Sequence, residues 1–225
     1  MKYNSFISLG YFCSVAIDLD RINRRDKSYP FDWLITDIKS VEKCIENKFH
    51  DFLEEDLLYR DDTYDYIVHN KKFQIDFYHD FKPGIEIREQ LPSVKEKYER
   101  RINRFYKTIC KPTLFIRYIK DDEINYWYND ASKIINLIKR YNRNNVVLLI
   151  VNTEVSVKRD SLVEGVLATF YVKKDSNDTV ARKIVETNPE IKKYLIDTKY
   201  SKYNILKIVL KKKYFRLLKK LSIKR

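Results

Sequence analysis

The sequence predicts an α/β protein: a single three-layer domain with a mostly parallel central sheet, followed by a basic amphipathic C-terminal helix. From residue 113 onward, short apolar strand patterns alternate with helical patterns. Val146 to Val151 is a continuous apolar run, which is typical of a central parallel strand covered on both faces. The chain has 225 residues, of which 44% are hydrophobic and only 3 are glycine, so it can bury one sizeable core.

Charge divides the chain into a domain and a tail. The net charge is +13, and eleven of the 45 basic residues but none of the 32 acidic residues lie between Lys199 and Arg225. The preceding residues, with 34 basic and 32 acidic side chains, are nearly neutral, which argues against a nucleic-acid-binding core. We therefore predict one domain at 1–198, with a motif-bearing half (1–110) and a βαβ half (111–198), and a basic tail at 199–225.

Hydrophobic periodicity and turn residues predict the individual elements. In the first half these are a strand at 6–9, a turn at Gly10, a helix from about Cys13, a helix at 38–52, a β-hairpin of residues 64–68 and 73–77, and a helix at 91–109. In the second half they are strands at 113–118, 146–151 and 167–172, and helices at 129–141 and 179–187. The tail predicts an amphipathic helix from Tyr203 to Leu221.

The three cysteines, Cys13, Cys44 and Cys110, show neither a CxxC pair nor the spacing of a zinc site. We expect reduced thiols, with Cys44 as a small apolar residue of its helix. The N-terminus lacks the long apolar region of a signal peptide, and no stretch of about 18 apolar residues is present. The expectation is a cytoplasmic protein without a cofactor.

Cys13 is a candidate nucleophile, because a cysteine at a helix N-terminus faces the positive end of the peptide dipoles, which favours the thiolate. Of the three histidines, His79 is the best candidate base, since it follows a predicted strand just before a turn. The residue that orients this base can be Asp32, Asp80 or Asn152. Asp32 lies between two aromatic residues in the run SYPFDW, and its carboxylate needs a partner if it is buried.

Two motifs near the N-terminus resemble a known family. SLGYFCS (residues 8–14) is followed by SYPFDW (28–33), and further matches are FYHDF (77–81), ERRINRF (99–105) and LFIRY (114–118). This set resembles the bacterial family of putative papain-like cysteine peptidases and covers about the first half of the chain. The resemblance implies a thiol hydrolase with Cys13 as nucleophile, His79 as base and Asp32 as the residue that orients the base. Its substrate would be a peptide or another acyl compound.

A second hypothesis is an anion site. Arg100, Arg101 and Arg104 lie within about one helical turn, and guanidinium groups bind phosphate or carboxylate in bidentate fashion. Arg117 and Asn152 follow or end predicted strands of the same sheet, where ligands of α/β folds bind. These residues suit a protein of the cytoplasmic membrane face that handles sugar phosphates or glycans in surface polysaccharide assembly.

The basic tail suggests a third hypothesis, a non-enzymatic scaffold recruited to an anionic membrane surface through the helix from Tyr203 to Leu221. The alternative for this helix is docking on its own domain or on a partner. Asp61, Asp62 and Asp65 form an acidic cluster without EF-hand spacing, so we expect a solvated loop rather than a metal site. No metal and no nucleic-acid partner are expected.

Overall fold

The computed structural model describes residues 2–153, 165–173, 183–200 and 202–222. Its strands are β1 (Ser5–Ser8), β2 (Leu34–Thr36), β3 (Leu58–Arg60), β4 (Val68–Asn70), β5 (Ile75–Phe77), β6 (Thr113–Ile119), β7 (Val146–Thr153) and β8 (Val166–Lys173). Its helices are α1 (Ser14–Arg21), α2 (Ile38–Glu46), α3 (Ile87–Ile109), α4 (Asp121–Asn129), α5 (Ala131–Lys139), α6 (Ile184–Thr187), α7 (Pro189–Asp197) and α8 (Lys202–Ser222). Two short 3₁₀ helices, Pro30–Trp33 and Glu55–Leu57, precede β2 and β3.

A parallel sheet with the strand order β1-β6-β7-β8 forms the centre of the fold. Each face of this sheet covers its own hydrophobic core. One core lies under α1, α6, α7 and α8, and the other lies under α3, α4, α5 and the segments that precede them. Neighbouring residues of β6, such as Phe115 and Ile116, belong to opposite cores because successive side chains of a strand alternate between faces. The predicted α/β class, the parallel sheet and the C-terminal helix are confirmed.

A second sheet was only partly predicted. The hairpin of β4 and β5 is present, but β2 and β3 extend it to an antiparallel sheet with the order β2-β5-β4-β3. Both added strands have only three residues. A segment this short contains too few alternations to be distinguished from a loop by periodicity.

Several helix bounds differ from the prediction. The helix predicted at 38–52 ends at Glu46, since Lys48, Phe49 and Asp51 have φ between 57° and 61°. Phe49 and Phe52 are nevertheless buried. These two residues of the predicted apolar face therefore lie in a compact turn after the helix, not in the helix itself. The helix predicted at 129–141 is α5, and α4 precedes it. Only Ile184–Thr187 of the helix predicted at 179–187 is described; the rest lies outside the described residues. None of the described helices combines the length and apolar character that crossing a bilayer requires.

Arg117 joins the two sheets from the middle of β6, where its side chain is fully buried. Its Nε donates to Glu123 Oε2 at 3.1 Å and its Nη2 to Glu123 Oε1. Nη1 donates to the carbonyl of Leu9 at 2.8 Å and to Thr36 Oγ1 at 3.2 Å, and Nη2 donates to the Thr36 carbonyl at 2.7 Å. All five N–H groups of the guanidinium are therefore engaged within the protein.

Glu123 extends this joint to a further helix, because its Oε1 accepts the backbone N–H of Ile38 at the start of α2, at 2.9 Å. Burial raises the pKa of the Glu123 carboxyl, and the adjacent Arg117 guanidinium opposes the rise. The pair thus links the end of β1, β2, α2 and α4 through one buried charge pair.

We expect Glu123→Gln to lower the free energy of unfolding by about 3–5 kcal/mol, because it leaves the buried Arg117 charge uncompensated. Urea denaturation followed by circular dichroism measures this loss. The matched control is Glu96→Gln, which removes the exposed pair of Glu96 with Arg100 on α3. That exposed pair contributes at most about 0.5 kcal/mol. Equal losses in the two variants would show that the buried pair does not hold the sheets together.

Candidate functional site

Cys13 lies at a tight strand–turn–helix connection. Gly10 and Tyr11 have φ of 84° and 73°, so two consecutive residues after β1 adopt the left-handed conformation. A side chain at Gly10 would place its Cβ 2.5 Å from Thr36 Oγ1 and 3.4 Å from the carbonyl of Phe31, which only glycine avoids. The backbone of Tyr11 bonds to Thr36 through both its N–H and its carbonyl, at 3.4 and 3.3 Å. The turn is therefore held against the segment that contains Phe31 and Thr36.

The helix begins where the sequence predicts, with Cys13 as the N-cap residue of α1 and its side chain partly exposed. The first N–H groups of a helix have no intrahelical partner and carry a partial positive charge, and cysteines at helix N-termini are in general more reactive for this reason. The other two cysteines lie in different surroundings. Cys44 is buried in the core, where burial raises the pKa of its thiol, and Cys110 is exposed with its Sγ 3.2 Å from the carbonyl of Tyr106.

Asp32 is fully buried in the 3₁₀ helix Pro30–Trp33 and has the partner that its burial requires. Arg25 donates to Asp32 Oδ2 through Nε at 3.0 Å and Nη2 at 2.7 Å, and the backbone N–H of Tyr29 donates to the same oxygen at 2.8 Å. Asp32 Oδ1 has no hydrogen-bond partner within the described part of the chain. Burial raises the pKa of the Asp32 carboxyl, and Arg25 opposes the rise.

Trp33 connects this ion pair to His79. The imidazole of His79 packs edge-on against the Trp33 ring, with 5.8 Å between centroids, and the Arg25 guanidinium lies 5.8 Å from the same ring. Leu34, the residue after Trp33, pairs with Phe77 across the second sheet, so the strand pairing itself brings Trp33 and His79 together. The segment 31–36 therefore touches the Cys13 turn and also carries the aromatic contact of His79.

The histidines differ in how their nitrogen atoms are used. His69 Nδ1 lies 2.7 Å from Asp76 Oδ1 and Nε2 lies 2.9 Å from Asp61 Oδ2, so both nitrogens are committed to carboxylates. Burial disfavours the charged form of His69, but the bonds to Asp76 and Asp61 outweigh it and raise the pKa. His50 pairs with its neighbour Asp51 on the surface. His79 is exposed, and the ring of Trp33 positions it.

The remaining candidates for orienting His79 are engaged elsewhere. Tyr98 donates to Asp80 Oδ2 at 2.8 Å, and Lys97 lies 2.5 Å from Asp80 Oδ1. Asn152 donates from Nδ2 to the hydroxyl of Tyr118, whose ring packs edge-on against Tyr11 of the Cys13 turn. Asn152 therefore lies on the same edge of the parallel sheet as the Cys13 turn, as the sequence predicts for residues that follow parallel strands.

The four residues predicted to bind an anion do not converge. Arg117 is buried with all its donors engaged, so no donor remains for a ligand, and its place in the middle of β6 gives it a structural role. Arg101 lies over the Tyr98 ring, 5.1 Å from its centroid, and its Nη1 is buried and unbonded among the described residues. Burial raises the pKa of the Asp32 carboxyl, and the charge of Arg101 adds to that of Arg25 in opposing the rise. Arg104 has different surroundings, since it lines a groove whose lining does not include Arg101. Helical spacing cannot reveal this difference, because residues three positions apart are neighbours on a helix and their partners here come from distant segments.

Arg104 lines a basic groove of about 620 Å³ between α3, the start of β1 and α8. Its Nη1 donates to the carbonyl of Ser28 at 2.6 Å. The groove has one carboxylate in its lining, Asp26, against six cationic side chains: Lys27, Arg100, Arg104, Lys107, Lys111 and Lys207. Four of the six recur along α3 and its end at spacings of four, three and four residues, which places them on one side of the helix.

Two contributions to the site were missed from the sequence. Arg25 is not among the predicted site residues, although a buried Asp32 requires a partner and Arg25 is a cation only seven positions away. The lysines of the groove come from three distant segments, and no local pattern reveals them. Within the described residues, no group of three or more His, Cys, Asp or Glu side chains is arranged to hold a metal ion.

The fold and the site define an α/β protein whose first strand–turn–helix unit presents a cysteine at a helix N-terminus. The chain belongs to the putative papain-like cysteine peptidase family, whose profile matches residues 4–154. An uncharacterized protein of Acanthamoeba polyphaga mimivirus is 32% identical over 135 residues, which is 50% of this chain and 60% of the relative. The chain thus spans about 60% of the length of the curated relative, which is viral rather than bacterial. No solved structure matches the chain.

The Asp61–His69–Asp76 cluster predicts a pH-dependent stability. The pKa of His69 is raised from 6.5. The stability that the charged His69 contributes to the fold is therefore fully present below about pH 6.5 and is lost as the pH rises through the raised pKa. The pKa of Asp61 is lowered from 3.8 by its bond to His69. The stability that the Asp61 carboxylate contributes is therefore lost as the pH falls through the lowered pKa of Asp61. We expect His69→Gln to destabilise the protein most between about pH 4 and pH 6.5 and least near about pH 9.

Urea denaturation of wild type and His69→Gln at both ends of this range measures the difference. The control is His50→Gln, whose side chain is 81% exposed and bonded to Asp51 alone, and which should change the free energy of unfolding by less than about 0.5 kcal/mol. If the loss of unfolding free energy in His69→Gln did not vary with pH, it would contradict a charged His69 between Asp61 and Asp76.

Proposed function

We propose that this protein is a thiol hydrolase of acyl substrates, with Cys13 as the nucleophile and His79 as the general base. The single observation that carries the proposal is the position of Cys13 as the partly exposed N-cap of α1, immediately after a strained turn. Sharp strand-to-helix turns of this kind present nucleophiles in α/β hydrolases. Membership of a family described as putative cysteine peptidases supports the same reaction class.

In this mechanism the Cys13 thiolate attacks the carbonyl carbon of a peptide or another acyl compound, and a new S–C bond forms. The N–H groups of the first turn of α1 donate to the developing oxyanion. The C–N or C–O bond then breaks, and the leaving group takes a proton from the imidazolium of His79. Water then hydrolyses the thioester: His79 accepts a proton from the water, the oxygen of that water bonds to the carbonyl carbon, and the S–C bond breaks. The carboxylic acid leaves, and the pair of Cys13 thiolate and His79 imidazolium is restored.

Asp32 acts in this proposal as a positioning residue. Its carboxylate holds Arg25, the guanidinium of Arg25 lies beside the Trp33 ring, and that ring packs against His79. The exposure of His79 leaves its ring nitrogens accessible to a substrate. The buried Asp32 thus supports the base through two intermediate side chains.

The first test is the pH dependence of Cys13 alkylation by iodoacetamide in a Cys110→Ser background, which removes the exposed competing thiol. Cys44 stays in place because it is fully buried. We expect Cys13 to titrate below the usual value of about 8.5. In His79→Ala the apparent pKa of Cys13 should rise, because the imidazolium that stabilises the thiolate is gone.

The matched control is His50→Ala, which removes an exposed histidine outside the site and should leave the alkylation profile unchanged. Asp32→Asn is a second test. This substitution should change the pH dependence of Cys13 alkylation that arises from His79, while Cys13 itself remains reactive. Titration near 8.5 that is the same in wild type and His79→Ala would refute the Cys–His pair and make Cys13 a packed structural thiol.

A second candidate function is the handling of phosphorylated sugars or glycans, and the basic groove is the observation that favours it. Even with Arg100 paired to Glu96 and Lys27 paired to Asp26, the six cations give the groove a net positive charge suited to a pyrophosphate group. In this case Arg104 and Lys107 bind the anion, and Cys13 has no chemical role. A non-enzymatic scaffold is the third hypothesis, for which both the thiol and the groove are dispensable.

Calorimetric titration with inorganic pyrophosphate tests the groove. Arg104→Gln with Lys107→Gln should weaken binding at least tenfold, because each substitution removes a charge-assisted hydrogen-bond donor. The control is Arg88→Gln, which removes an exposed arginine from the opposite end of the same helix. Wild-type protein that fails to bind pyrophosphate at low ionic strength would eliminate this candidate.

A further inference from the structure

The C-terminal helix α8 is fixed to the domain along one side. Ile208 is buried in the core that covers the α1 face of the sheet, and Ile205 packs against the same core. Asn204 donates to the carbonyl of Asn4 at 2.7 Å, and Lys212 lies 3.2 Å from Asp20 Oδ2. These contacts set the rotation of the helix about its own axis.

The opposite side of α8 presents an apolar stripe. Leu206, Leu210, Tyr214 and Leu218 recur every four residues and are 58%, 55%, 59% and 42% exposed. At 3.6 residues per turn the centre of this stripe lies about 180° from the docked side. An exposed row of large apolar side chains is unusual on a soluble surface and marks an interaction site.

Cations border the apolar stripe on both sides. Lys207 and Lys211 follow one border and Lys213 lies at the other, as judged from their angular positions on the helix. No acidic residue occurs between Lys199 and Arg225, so nothing within this segment neutralises them. A second copy of the same helix would bring like charges together along both borders, which disfavours self-association.

We propose that the apolar stripe of α8 docks on an anionic lipid bilayer, with α8 lying in the plane of the membrane surface. An apolar row flanked by cations is complementary to acyl chains bordered by anionic headgroups. The docked side keeps the helix on the domain while the stripe enters the interface, so the domain is held at the surface without refolding. This inference goes beyond the proposed hydrolase and is independent of it.

Co-sedimentation of the full chain with lipid vesicles tests the proposal. We expect binding to vesicles of equal parts phosphatidylcholine and phosphatidylglycerol, and much weaker binding to pure phosphatidylcholine. Leu206→Ser with Leu210→Ser should reduce binding more than tenfold. Lys207→Gln with Lys211→Gln should reduce it roughly 25-fold at low ionic strength, since each cation near an anionic surface contributes roughly fivefold.

The control for the apolar change is Leu167→Ser with Ile196→Ser, which removes two apolar side chains of comparable exposure, 39% and 44%, from other surfaces and should leave binding unchanged. Far-ultraviolet circular dichroism verifies that each variant is folded. Equal binding to neutral and anionic vesicles, or unchanged binding in the leucine variant, would overturn the proposal. So would a lipid-free dimer that becomes monomeric when Leu206 and Leu210 are replaced, because the stripe would then be covered by a second copy.

Discussion

The buried pair of Arg117 and Glu123 is the interaction on which the arrangement of both sheets depends. It bonds the end of β1 and the junction of β2 with α2, both of which are distant in sequence from Arg117 and Glu123. A guanidinium without exposure to water is stable only with its charge balanced and its donors used, and here both conditions are met. The same constraint explains Gly10, because a side chain at that position would collide with Thr36 Oγ1, which accepts a hydrogen bond from Arg117.

The candidate site is a consequence of this joint. Bonding of Thr36 to Arg117 and to the backbone of Tyr11 fixes β2 beside the turn that carries Cys13. The pairing of β2 with β5 then positions Trp33 against His79. Asp32 and Arg25 stiffen the segment between them with a nearly buried ion pair. A thiol from the parallel sheet and a histidine from the antiparallel sheet are thereby held by one short stretch of chain.

The lining of the basic groove does not include Cys13 or His79. The basic groove lies on the far flank of α3, between that helix and α8, and the cations of α8 border its apolar stripe. Arg101 and Arg104, neighbours in the sequence motif, consequently serve different surroundings: one stacks on Tyr98 near Asp32, and the other bonds Ser28 at the groove. Cys13 and His79 do not line the basic groove, so the proposed thiol chemistry and the proposed anion site can be tested by separate substitutions.

The sequence by itself determined the features that are written in local patterns. The α/β class, the strands of the parallel sheet, the helix that begins at Cys13 and the C-terminal amphipathic helix all follow from hydrophobic periodicity and turn residues within a few positions of one another. Only the tertiary structure decided that Arg117 is a buried joint, that Arg25 is the partner of Asp32, and that Leu206 and Leu210 face away from the domain. The physical reason is that burial and the choice of partner depend on contacts between segments far apart in the chain, which leave no local pattern.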